Sequence, residues 1–173
     1  MPIQTGRRAL VVATFLALSV GFVAGYWMAP RDDVPAPTSA SAAPHAVGPG
    51  DYAQLGMQAL ESGDFASAER YFRRATEMSP DDAGPHLDLA VSLMYQERWE
   101  EAHSELELAG RLAPEAPEVH FLSGVVYRDG LRDGDRAREA WERFLAMVPD
   151  DSPQAATVRG WLADLAPATE EPS

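Results

Sequence analysis

His86 and His120 stand 34 residues apart, and that spacing is the first feature that could do chemistry. If the chain repeats with this period, the two imidazoles occupy equivalent places on neighbouring elements, and a pair so placed could ligate a transition metal. A zinc site needs three or four ligands. No Cys exists to supply one, and no acid falls beside the pair by pattern. The competing reading makes both histidines replacements for an aromatic packing residue, half-buried with one ring nitrogen bonded, so no metal is expected. Asp129, Asp133 and Asp135 around Gly134 resemble part of a calcium loop, but Leu131 and Ala140 stand where further oxygen ligands are required. These acids are expected to cap helices and shape a turn. His45 and His103 have no assignable partner, and Glu100, Glu101, Glu105 and Glu107 read as a solvated helix face. The chain lacks HExxH, GxSxG, GxxxxGK and the dinucleotide glycine pattern. No catalytic residue and no cofactor is expected, and the chain is not expected to be an enzyme.

Other classes fall by composition. A net charge of −13 repels phosphate backbones, which sets nucleic acid aside as a partner. The absence of Cys removes disulfides, thiolate sites and cysteine nucleophiles.

Residues 9–30 contain no charged side chain. As a helix, Ala9 to Ala29 spans about 31 Å, the thickness of a bilayer's hydrocarbon core. Arg7 and Arg8 precede the stretch and Arg31, Asp32 and Asp33 follow it. The positive-inside rule then predicts one membrane span, with residues 1–8 cytoplasmic and everything after residue 30 on the far side of the membrane. Tyr26 and Trp27 suit the far interface, and Gly21 and Gly25 form a small-xxx-small pair. A cleaved signal peptide would have a shorter apolar core and a closer small-residue site than Ala40-Ser41-Ala42. Residues 31–48 are rich in Pro and Ala and cannot bury a face, so they are expected to be an extended tether.

The remainder is self-similar. Residues 49–82 carry Tyr52, Leu55-Gly56, Ala59, Ala68, Phe72, Ala75 and Pro80. Residues 83–116 repeat the set as His86, Leu89-Ala90, Leu93, Ala102, Leu106, Ala109 and Pro114. Residues 117–150 bring His120, Ser123-Gly124 and Tyr127, then run one residue late with Ala137, Trp141, Phe144 and Pro149. Small residues must lie where paired helices cross, bulky ones beside them, and each Pro ends a second helix because it has no N–H. The late residue is expected in the Gly130-Leu131-Arg132-Asp133-Gly134 turn, where an insertion costs little. Ser152 and Pro153 then open a helix with an apolar stripe at Val158, Trp161, Leu162 and Leu165. Residues 151–166 are predicted to cap the stack, and 167–173 to be a disordered tail.

This pattern, at a 34-residue period, resembles the tetratricopeptide repeat family. The fold predicted is all-α: a tetratricopeptide-repeat superhelix of three helical hairpins and a capping helix, behind one N-terminal transmembrane helix. The resemblance implies a protein or peptide ligand held on the inner surface of the first helices. Carried over place by place, it implies contacts from Met57, Leu60 and Glu61, from Leu87, Val91, Met94 and Tyr95, and from Phe121, Val125, Arg128 and Asp129. Such a surface is mainly apolar and suits an amphipathic helix or extended apolar peptide. It does not suit the relatives that clamp a C-terminal carboxylate with Lys and Asn, because those places hold Ala53, Met57, Leu87, Val91, Phe121 and Val125.

The layout is also similar to the membrane-anchored repeat subunits of bacterial cytochrome c maturation and haem-lyase systems. Residues 137–165, AREAWERFLAMVPDDSPQAATVRGWLADL, carry that likeness. It implies apocytochrome c as the held partner. The single span departs from the family's larger members. The broader expectation is a scaffold or assembly factor of the bacterial envelope, attached to the lipid bilayer through residues 9–30.

Overall fold

The computed structural model describes residues 47–165, which form seven α-helices; no strand occurs among them. They are α1 (Pro49–Glu61), α2 (Phe65–Met78), α3 (Ala83–Tyr95), α4 (Trp99–Leu112), α5 (Pro117–Val125), α6 (Gly134–Met147) and α7 (Pro153–Asp164). One π-helical turn, Val126–Gly130, extends α5. The membrane span over residues 9–30, the tether and the tail lie outside the described residues. No helix among the described residues is long and apolar enough to cross a membrane.

Local chemistry sets the helix ends. Asp64, Asp82, Asp133 and Ser152 each accept a backbone N–H of the first turn that follows. The second helices α2, α4 and α6 stop one residue short of Ser79, Ala113 and Val148. Each of those residues precedes a Pro, whose ring disfavours a helical conformation at the residue before it. Gly63, Glu97 and Arg132 adopt positive φ at the three turns inside the hairpins, marking equivalent points.

The hairpins α1–α2, α3–α4 and α5–α6 stack in order, α2 against α3 and α4 against α5, with α7 packed on α6. The small residues lie where the period places them. Ala68, Ala102 and Ala137 have no exposed surface. A Cβ on Gly56 would stand 2.5 Å from the Phe72 ring, and one on Gly124 would stand 2.1 Å from Trp141 Nε1. Phe72 and Trp141 therefore cover the glycine of their own hairpin's first helix. Phe72, Leu106 and Trp141 are all fully or almost fully buried, so each hairpin closes around one bulky side chain.

The extra residue of the third hairpin is not in the turn. Gly63 to Glu97 keeps the period, whereas Glu97 to Arg132 is one residue longer. The surplus is taken up earlier, in the helix itself: Leu131 N–H donates to the Val126 carbonyl at 2.9 Å, the π-helical spacing. This bulge turns Gly130 onto the Trp99 ring, so closely that a Cβ there would meet ring carbons at 2.4 Å. A local widening of α5 thus seats the third hairpin on the start of α4, and the loop stays tight.

Candidate peptide-binding groove

The first helices carry the residues that the repeat resemblance assigns to a ligand. Their exposure is uneven. Leu60, Val91, Met94 and Val125 are buried, each at 6–8% relative exposure. Met57, Leu87, Tyr95, Phe121 and Arg128 are half-buried, and Glu61 is exposed. The buried four are covered within the chain, whereas the half-buried five keep part of their surface exposed.

Three of those five also hold the structure together. The Phe121 ring lies 5.3 Å from Phe144 and 5.7 Å from Trp161, centroid to centroid. The Arg128 guanidinium sits over Trp161 at 4.7 Å and Trp141 at 5.1 Å, and is bonded twice to Asp129 at 2.7 Å. Trp161 belongs to α7, so that helix reaches onto Phe121 and Arg128 of the third hairpin. Trp141 Nε1 donates to the Phe121 carbonyl at 3.1 Å, fixing the same corner. Tyr95 stacks flat on Phe65 of the first hairpin, with centroids 4.4 Å apart and planes 6° apart. Burial there pushes its hydroxyl up to about 12.

Polar links join the first two hairpins. Gln96 and Arg98 both reach Glu69, at 3.0 and 2.6 Å. Burial opposes the Glu69 charge, but hydrogen bonds from Arg98, Gln96 and Arg73 outweigh it and hold the carboxyl below its ordinary range. His86 is buried, with Nδ1 2.7 Å from Glu105 and Nε2 3.2 Å from the Pro80 carbonyl. It thus has a partner on both nitrogens, where the sequence suggested one, and Glu105 is not part of a solvated face. His120 is half-buried. No three His, Cys, Asp or Glu residues among the described ones could hold a metal ion together. Asp133 caps α6 and pairs with Arg136 at 2.6 Å, and Asp129 pairs with Arg128, so the acids around Gly134 shape this turn.

Sequence reasoning passed over Asp88 and Glu118. Asp88 is the one charged residue of α3 and has no ion-pair partner; burial, and the nearby charge of Asp82, push its carboxyl up to about 7. A lone acid in the apolar run PHLDLAVSLMY was the signal that could have found it. Glu118, in the first turn of α5, has a buried Oε1 with no hydrogen-bond partner.

Residues 59–123 match the family model described as tetratricopeptide repeat. Over residues 59–123 the chain therefore matches tetratricopeptide repeats, and its three hairpins have the packing expected of that fold. Solved structures share the fold. The Arabidopsis OM64 TPR domain aligns with a TM-score of 0.62 at 13% identity, covering 67% of this chain and 94% of its own. PcrH from Pseudomonas aeruginosa aligns with a TM-score of 0.62 at 18% identity, covering 68% and 90%. The Yersinia enterocolitica type III secretion chaperone SycD, in complex with a peptide of the translocator YopD, aligns with a TM-score of 0.62 at 12% identity, covering 67% and 90%. No curated protein matches the sequence.

Proposed function

We propose that this chain is a membrane-tethered scaffold that holds a segment of another protein against the inner face of α1, α3 and α5. The observation that carries the reading is the set of half-buried apolar side chains (Met57, Leu87, Tyr95) on first helices whose neighbours are already buried. Such residues lose little conformational freedom on binding and present apolar area to a partner helix or strand. SycD, similar in fold, is described with a translocator peptide, which supports the same use of the stack here.

The tether is part of the proposal. Residues 9–30 anchor the protein in the bacterial inner membrane, and the repeats work on the periplasmic side. Because the chain has no Cys, a single Gln58→Cys on exposed α1 gives a clean topology probe. A membrane-impermeant maleimide should label it in cells with permeabilised outer membranes, and protection until lysis would refute the placement. For the groove, Leu87→Asp should abolish capture of envelope partners while leaving helix content unchanged. Loss of helicity instead would show Leu87 to be core. Leu87 is the better probe than Phe121, which is committed to Phe144 and Trp161.

A second reading rests on residues 137–165: the client is apocytochrome c, held while haem is attached. Binding of a haem-free CxxCH peptide, lost in Leu87→Asp, tests it.

A further inference from the structure

Six carboxylates are half-buried among the described residues: Glu69, Asp88, Glu105, Glu118, Asp129 and Asp133. Four of them are satisfied within the chain, Glu69 by Arg98, Glu105 by His86, Asp129 by Arg128 and Asp133 by Arg136. Asp88 and Glu118 have no hydrogen bond or ion pair, and Glu118 Oε1 is sealed from water as well. A buried acceptor without a donor is costly, and a buried charge without a counter-charge more so.

The place of these two acids is as informative as their isolation. Asp88 precedes Val91 and Tyr95 by three and seven residues on α3, and Glu118 precedes Phe121 and Val125 by three and seven on α5. That spacing sets each acid on the stripe of its helix that carries the inner-face residues. Basic residues are absent from the same surface. Neither α1, α3 nor α5 contains any Arg or Lys, and Arg128, just beyond α5, is engaged by Asp129 and two indoles. The other arginines of the described residues lie on second helices, in turns or on α7.

We infer that the partner of this groove is a basic amphipathic segment, whose apolar side meets Met57, Leu87 and Tyr95 and whose Lys or Arg side chains reach Asp88 and Glu118. This rests on the reading of the inner face as a peptide site and adds the chemistry of the peptide. The two carboxylates supply what an apolar surface lacks, a fixed register and a choice of partner by charge. An acidic segment is rejected by the same two groups and by the overall charge of −13.

The test uses the full chain in detergent and three fluorescent helical peptides of equal length, at near-physiological salt of about 0.15 M. One carries Leu and Phe on one side and Lys on the other. The second replaces each Lys with Glu, and the third keeps Lys but has no apolar side. Anisotropy should show the first binding at least about tenfold more tightly than either of the others. Asp88→Asn with Glu118→Gln should remove most of that preference, while Glu139→Gln with Glu142→Gln, at exposed positions of α6, should leave it in place. Equal loss in both pairs would mean bulk charge attraction and overturn the inference. Equal binding of the Lys and Glu peptides, abolished by Leu87→Asp, would overturn it and leave the groove itself standing. No binding of either amphipathic peptide would bring down both.

Discussion

Gly124 and Gly160 are both helical glycines, and the structure assigns opposite signs to the same substitution at the two positions. A Cβ on Gly124 would stand 2.1, 2.3 and 2.5 Å from Trp141 Nε1, Cδ1 and Cε2, whereas one on Gly160 meets nothing within 4 Å. Ordinary contact is about 3.5–4 Å, so the indole must retreat by more than about 1 Å. Trp141 has nowhere to go: it is fully buried, bonded to the Phe121 carbonyl and packed on Trp161 with centroids 4.9 Å apart. Overpacking of this kind costs about 1–3 kcal/mol, and loss of the buried indole hydrogen bond adds about 1 kcal/mol. Replacing glycine in a helix returns about 1 kcal/mol in either place. Gly124→Ala should therefore destabilise by about 2 kcal/mol, and Gly160→Ala should stabilise by up to about 1 kcal/mol. For a domain of this size each kcal/mol moves Tm by about 3–5 °C. Thermal unfolding followed by circular dichroism at 222 nm reads both variants. A Gly124→Ala variant that melts at or above the parent temperature, or a shift of both variants in the same direction, would refute the tight packing of Trp141 on Gly124.

Asp88 makes stability depend on pH in a direction unusual for an acid. Burial pushes its carboxyl up to about 7 in the folded chain, against 3.8 for a free aspartate, so the folded state holds the proton more tightly. The group costs nothing below the lower value, costs increasingly as pH rises between the two, and costs its full amount above the upper one. Asp88→Asn should then stabilise the chain by about 2 kcal/mol at pH 8, with a ceiling of about 4, and by almost nothing at pH 4. Urea melts at the two pH values check it, and a gain that does not change with pH would sink the idea. Glu97 adopts φ 58° in the turn between α3 and α4, where the first hairpin has Gly63 at φ 77°. Glu97→Gly should relieve about 1 kcal/mol of backbone strain, and a lower urea midpoint would contradict that.

What could be read in the residues alone was what repeats. Gly56, Ala68, Phe72 and Pro80, with their counterparts further along, encode helix crossings and helix ends by size and by the missing N–H of Pro, and these depend on neighbours within one hairpin. Placing the extra residue of the third hairpin was harder. A loop and a π-helical turn absorb it equally well on paper, and the contact of Gly130 with Trp99 selects the second. The inner face was only partly readable, because the carry-over from a family names places on a helix and not what else touches them. Phe121 and Arg128 stand at ligand places, yet Trp161, thirty or more residues later, packs on both. Glu105 sits in a run of acids that looks solvated until His86 is brought against it from α3. Asp88 was legible as a lone acid in an apolar run, but that neither it nor Glu118 has a partner is a property of the surroundings, which only the packed hairpins display.

The proposed function requires that a partner bind the inner surface of the first helices. Titrating the Lys-bearing amphipathic peptide into isotopically labelled protein, and following backbone amide shifts by NMR, addresses that directly. The account predicts the largest shifts in α1, α3 and α5, around Met57, Leu87, Asp88 and Glu118, with α2, α4 and α6 nearly unmoved on their outer faces. Shifts concentrated on those second helices, or on the exposed side of α7, would contradict it.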